Sequence, residues 1–184
     1  GDSGLLTNAG HDSRLGEREV IENALNDDLK LEYMSNGARM DGGDVLRFGD
    51  NFLVGHSKRT NRKGIEDLEE FLKKRGYGLH VIEVPTESLH LISVCTSPIS
   101  GKLLAPFGWF KESDFPSDSE IIWVPQEEAY AANILPFGNK VMMAKGYPST
   151  FKVLQELNME IHEMEMSQFR EADGSLTCLS VLYD

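Results

Sequence analysis

Cysteine is scarce in this sequence: 2 residues of 184, Cys95 and Cys178. That is too few for a disulfide scaffold, and the two lie too far apart for a zinc-knuckle spacing. Long apolar runs are missing as well. No stretch approaches the ~18 residues of a membrane span, and no basic-plus-apolar leader opens the chain. A cytoplasmic, reducing compartment is therefore the expectation, with no membrane as partner. Basic charge is in deficit, with Lys+Arg 18 against Asp+Glu 30 and a formal net charge of −12. A phosphate-binding surface needs the opposite balance, which argues against nucleic acid, whereas a negative field favours the approach of a small cation. GxGxxG, P-loop, HExxH and CxxC motifs are all absent, so nothing supports a dinucleotide, a nucleotide or structural zinc.

What is present is the composition of an ordinary globular protein, 40% hydrophobic and 26% charged, long enough for one domain over residues 1–184. Short apolar runs alternate with amphipathic stretches. Residues 5–7 are a brief strand, and Asp12 or Ser13 is placed to cap a helix carrying Val20, Ile21, Ala24 and Leu25. Residues 29–34 alternate as a strand does. Asp41-Gly42-Gly43-Asp44 is a turn opening a hairpin over residues 45–55, and a helix follows with Ile65, Leu68, Phe71 and Leu72 on one face. A strand over residues 80–84 closes that unit. The order returns with strands at 90–95 and 102–105, a short helical segment near Glu112 and a strand at 121–124. It returns again with strands at 132–135 and 140–143, a helix at 149–157 and a strand at 160–164. An Asp173-Gly174 turn then leads into a last strand, reaching Tyr183, that carries Cys178. Strand–strand–helix–strand at a period of about 40 to 50 residues predicts a repeat architecture, and radial repetition would gather strand beginnings at one axis.

Three residues at equivalent points of the repeat carry reactive chemistry: Asp41 in its glycine turn, His90 and Cys178. A thiol is a poor nucleophile until its environment favours the thiolate or a base is supplied, and a histidine with a carboxylate is the usual means. Each also has a structural reading, since Asp-Gly turns form Asx hydrogen bonds and a lone His or Cys in an apolar run is commonly packing. Arg14 and Arg59 stand near helix starts, where the helix dipole disfavours a cation, which points to an anion such as a substrate carboxylate. His11, His56, His80 and His162 read as structural or solvated, and the methionines as core filler.

Taken together, Asp41-Gly-Gly-Asp-Val-Leu, Gly55-His-Ser57-Lys-Arg-Thr-Asn61, Leu89-His90-Leu91, Tyr130-Ala-Ala-Asn133 and Leu176-Thr-Cys178-Leu-Ser180 resemble the dimethylarginine dimethylaminohydrolases of the guanidine-modifying superfamily. The resemblance implies an α/β fold, an incomplete five-bladed α/β propeller built of ββαβ repeats. It implies hydrolysis of asymmetric dimethylarginine or monomethylarginine to citrulline through a covalent cysteine adduct, without metal or cofactor. Cys178 would be the nucleophile, His90 the acid and then the base, and Asp41 the carboxylate that orients it. Arg14 and Arg59 would hold the substrate α-carboxylate, with Asn133 lining the pocket. The family begins with a further segment, a blade and a half with an acidic lid loop, which is expected either upstream of residue 1 or as a separate piece; exposed strand edges would otherwise favour a homodimer. Two other readings are open: a related guanidine hydrolase of the arginine deiminase type, and a truncated, non-catalytic remnant that binds a partner.

Overall fold

The computed structural model of the chain describes residues 2–180, and its backbone divides into two compact units between His90 and Leu91. In the first, β1 (Ser3–Leu6) pairs in parallel with β2 (Lys30–Tyr33), and α1 (Glu17–Leu25) makes the crossover that parallel strands require. Next, β3 (Val45–Phe48) and β4 (Asn51–His56) form an antiparallel hairpin turned at Gly49, whose φ of 60° suits glycine. A crossover through α2 (Arg62–Lys73) brings β5 (Gly78–Glu83) parallel to β4. The side chain of Asn61 caps α2 by accepting from the Gly64 N–H. Ile65, Leu68 and Leu72 recur on one helical face and pack with Met34, Met40 and Val54 into the core of this unit.

The second unit repeats the scheme. β6 (Lys102–Pro106) and β7 (Glu120–Val124) are parallel, and Thr96 makes an antiparallel bridge to Leu104. β8 (Leu135–Phe137) and β9 (Lys140–Ala144) are antiparallel, and α3 (Pro148–Glu156) carries the chain to β10 (Glu160–Met164), parallel to β9. Leu104, Val141, Met143 and Leu154 lie at the centre of this unit's core. The ββαβ pattern read from the sequence is thus present, as mixed α/β structure in several small sheets.

Local departures fall where the sequence has no clear period. Residues 90–95, expected as a strand, form a bend followed by a 3-10 turn over Leu91–Ser93. His90 and Ser93 interrupt its apolar residues without strict alternation, so the pattern does not separate a strand from a buried turn. Residues 126–132 are 3-10 structure, and the strand expected at 132–135 begins only at Leu135. Asp12 and Ser13 do not cap α1: they open a 3-10 turn over Asp12–Arg14, which His11 caps instead, and α1 starts after Gly16. Cys178 lies in a 3-10 turn, Leu176–Leu179, rather than in a strand, and the expected strand's residues 181–183 lie outside the described residues. A short helix, α4 (Ser167–Glu171), precedes it, unannounced by any apolar period.

Glu128 anchors the second unit. Although buried, its carboxylate accepts from Ser149 N (3.1 Å), Thr150 N (2.7 Å) and Thr150 Oγ1 (2.8 Å), satisfying the orphan amides that open α3. Burial would raise its pKa, but the hydrogen bonds from Thr150 and Ser149 outweigh it and lower the pKa below the usual 4.5. The sign is fixed: this stabilisation is present above pH 4.5 and fades as the pH falls through the depressed value. Glu128→Gln, which can accept through one oxygen only, should cost about 1–3 kcal/mol in urea unfolding at pH 7, with the gap to the parent closing on acidification.

Candidate active site

The glycine turn puts a carboxylate in a nearly enclosed position. Asp41 is 4% exposed and precedes a 3-10 turn over Gly42–Asp44. Its Oδ1 accepts from the Gly10 N–H at 2.8 Å, and its Oδ2 lies 3.0 Å from His90 Nε2 and 3.1 Å from Arg14 Nη1. The Asp41 amide donates to Thr60 Oγ1, whose hydroxyl donates to Asp44 Oδ2 at 2.7 Å. Burial would push the Asp41 carboxyl up; the bonds from His90 and Gly10, with the charge of Arg14, overcome this and hold it at about 2. Asp41 is therefore an anion at any physiological pH. A carboxylate can only accept, so the His90 nitrogen facing it, Nε2, carries the proton. Nδ1 is left with no hydrogen-bond partner among the described residues.

Both glycines nearest this pair are required by contact. A Cβ on Gly43 would stand 2.8 Å from His90 Cγ, and one on Gly10 would stand 2.2 Å from the Arg59 carbonyl oxygen. Neither need was legible in the sequence beyond the doubled glycine of the turn. The Ser57-Lys-Arg-Thr-Asn61 run is likewise explained. Ser57 Oγ donates to Asp44 Oδ2 at 2.6 Å and accepts from the amides of Arg59 and Thr60. Asp44, fully buried, is thus the post around which this loop is wound.

The structure brings Asp41, His90 and Arg14 together, and it treats the two arginines differently. Arg14 is engaged: Nε and Nη2 donate to Glu17 and Nη1 to Asp41. Its pKa is raised, chiefly by the Glu17 hydrogen bond. With Asp41, Gly42 and Glu17 it lines a cavity of about 260 Å³ in the first unit. Arg59, presented by the Asp44-bound loop and half-buried, has no ion-pair partner among the described residues.

In the second unit, Asn133 is 1% exposed and entirely committed. Its Nδ2 donates to Ile92 O (2.6 Å) and Thr177 Oγ1 (2.7 Å), and its Oδ1 accepts from Thr177 N (3.2 Å). Tyr130 OH donates to Gly174 O at 2.8 Å. These bonds hold the chain just before the exposed Cys178, whose sulfur lies 3.2 Å from Ser175 Oγ. Asp173, with φ of 56°, takes the left-handed conformation that Asp tolerates, and so turns the chain toward Cys178. The other thiol, Cys95, is buried and its pKa is pushed up to about 12, so it is no nucleophile at neutral pH.

No protein-family model matches the sequence. Solved structures place the fold among the guanidine-modifying α/β proteins. The dimethylarginine dimethylaminohydrolase of Pseudomonas aeruginosa, as a cysteine-to-serine variant complexed with citrulline, superposes with a TM-score of 0.90 at 30% identity, covering 99% of this chain and 71% of that one. An amidinotransferase from Microseira wollei, 18% identical with a TM-score of 0.81, shares the fold alone. Among curated proteins, the N(G),N(G)-dimethylarginine dimethylaminohydrolases of P. aeruginosa and Streptomyces coelicolor are each 32% identical, over 97% and 98% of this chain and 70% of their own length. The chain belongs to the dimethylarginine dimethylaminohydrolase family.

The low Asp41 pKa makes a stability prediction with a definite sign. Its contribution is complete above pH 3.8 and lost as the pH falls through about 2. Asp41→Asn should remove about 2 kcal/mol of stability at pH 6 and flatten the acid limb of the stability curve, read by urea unfolding at stepped pH.

Proposed function

We propose that this chain hydrolyses Nω-methylated arginines to citrulline and methylamines, with Cys178 as nucleophile and His90 as proton carrier. The carrying observation is the His90–Asp41 pair, 3.0 Å apart, with the carboxylate ionised. Cys178 Sγ attacks the guanidinium carbon, whose own positive charge attracts a thiolate. His90 enters this step as the imidazolium, and its Nδ1 gives a proton to the departing amine as the C–N bond breaks, leaving a covalent thiouronium and a neutral ring protonated on Nε2. Water then attacks that carbon, Nδ1 takes up its proton, and the C–S bond breaks to release citrulline and the thiolate. Asp41 keeps Nε2 protonated and offsets the imidazolium charge formed in the second step.

The small ββαβ sheets support reading the chain as blades of an α/β propeller. Arg59 is assigned to the substrate α-carboxylate. Arg14 shares that role only in competition with Glu17, and its ion pair with Asp41 supports assigning it to balance that charge. Asn133 is assigned to positioning the Cys178 turn rather than to touching substrate, because its amide is fully used. Two unbridged thiols fit a cytosolic setting.

Incubation with asymmetric dimethylarginine should release citrulline and dimethylamine in equal amounts, and Cys178→Ser should abolish the reaction. Gly43→Ala, which displaces the His90 ring, should lower turnover about a hundredfold while leaving the fold intact by circular dichroism. No citrulline, together with no adduct on Cys178 after exposure to a haloamidine, would exclude this function.

A further inference from the structure

The turn that exposes Cys178 contains a hydroxyl with no role in the chemistry so far. Ser175 is 5% exposed, and among the described residues its hydroxyl faces Thr177 Oγ1 at 3.5 Å and Cys178 Sγ at 3.2 Å. The direction of these contacts can be worked out from the deeper end. Thr177 N–H can only donate and the Ile92 carbonyl can only accept, which settles the Asn133 amide with Oδ1 toward the first and Nδ2 toward the second. Nδ2 then donates its other hydrogen to Thr177 Oγ1. That hydroxyl, having accepted, is free to turn its own proton toward Ser175 Oγ, 3.5 Å away, and the Ser175 proton can then face the sulfur. With a neutral thiol the last bond could run either way. A thiolate has no proton to give, so once Cys178 is ionised Ser175 must be the donor.

We infer that Ser175 is a hydrogen-bond donor to the Cys178 thiolate, the end of an Asn133–Thr177–Ser175 relay that favours the reactive form of the nucleophile. This rests on Cys178 being the nucleophile, and it adds a residue touching the reacting atom. A hydroxyl that donates to an anion stabilises it more than a neutral pair would, the more so where the hydroxyl is buried.

The test is the rate of carbamidomethylation of Cys178 by iodoacetamide as a function of pH, mapped by mass spectrometry, on the full chain. The parent gives a sigmoid whose midpoint marks thiolate formation. Ser175→Ala should move that midpoint up by about one pH unit, and Ser175→Thr, which keeps the hydroxyl, should restore it. Ser175→Gly serves in place of Ser175→Ala if the latter fails to fold. An unchanged midpoint in the hydroxyl-free variant overturns the inference. So does a midpoint in Ser175→Thr as high as in Ser175→Ala, which would make the effect one of packing. Iodoacetamide needs a thiolate and no guanidinium pocket. A midpoint shift in a protein that never turns over methylarginine would therefore sink the proposed function and leave the relay standing, and turnover without a shift would do the reverse.

Discussion

A single buried carboxylate organises the first unit. Asp41 has almost no contact with water, and an ionised group so placed is tolerated only when its oxygens are fully engaged. Gly10, His90 and Arg14 engage them, and those partners come from separate stretches of chain, each of which must be folded for the carboxylate to be satisfied. The ring of His90 is held by the same contact on one edge and by the bare face of Gly43 on another. Asp44, three residues on, repeats the device on the next loop, drawing in Ser57 and Thr60 and thereby presenting Arg59. Thr60 links the two, accepting from the Asp41 amide while donating to Asp44.

The second unit prepares the thiol by neutral hydrogen bonds. Asn133 and Tyr130, at the end of one 3-10 stretch, hold the turn on either side of Ser175 through Thr177 and the Gly174 carbonyl. Glu128, at the start of that stretch, ties it to the N-terminus of α3. The turn that carries Cys178 is thus tied to the second unit's core around Leu154. Of the two thiols, the buried Cys95 is disabled by desolvation, and Cys178 alone is exposed.

Much of this was legible in the sequence, and the limits have physical causes. The hairpin over β3 and β4, the helix α2 and the ββαβ order were readable because Gly49, Asn61 and the Ile65/Leu68/Leu72 stripe are local signals that agree with one another. Asp41, His90 and Cys178 stood out because each breaks a local pattern. Residues 90–95 and the stretch carrying Cys178 read as strands from sequence, but their mixed apolar and polar residues carry no strict period and their turns are set by distant groups: Asn133 for Thr177, the core for Leu91. The reading of Arg14 as facing a substrate anion rests on its place near a helix start, and its partners in the structure are Glu17, three residues on at the start of α1, and Asp41, 27 residues away. The contacts of Gly43, Gly10, Glu128 and Ser175 leave no trace in a single sequence, because each is a long-range or turn-specific relation that residue type alone does not encode.

The central claim is that an ionised Asp41 fixes the His90 tautomer and leaves Nδ1 as the nitrogen that moves protons. Nitrogen-15 NMR of the labelled protein, at a pH where the imidazole is neutral, reads this directly. The account predicts a His90 signal pattern with the proton on Nε2, lost or mixed in an Asp41→Leu variant. A neutral His90 carrying its proton on Nδ1 in the parent protein would contradict it.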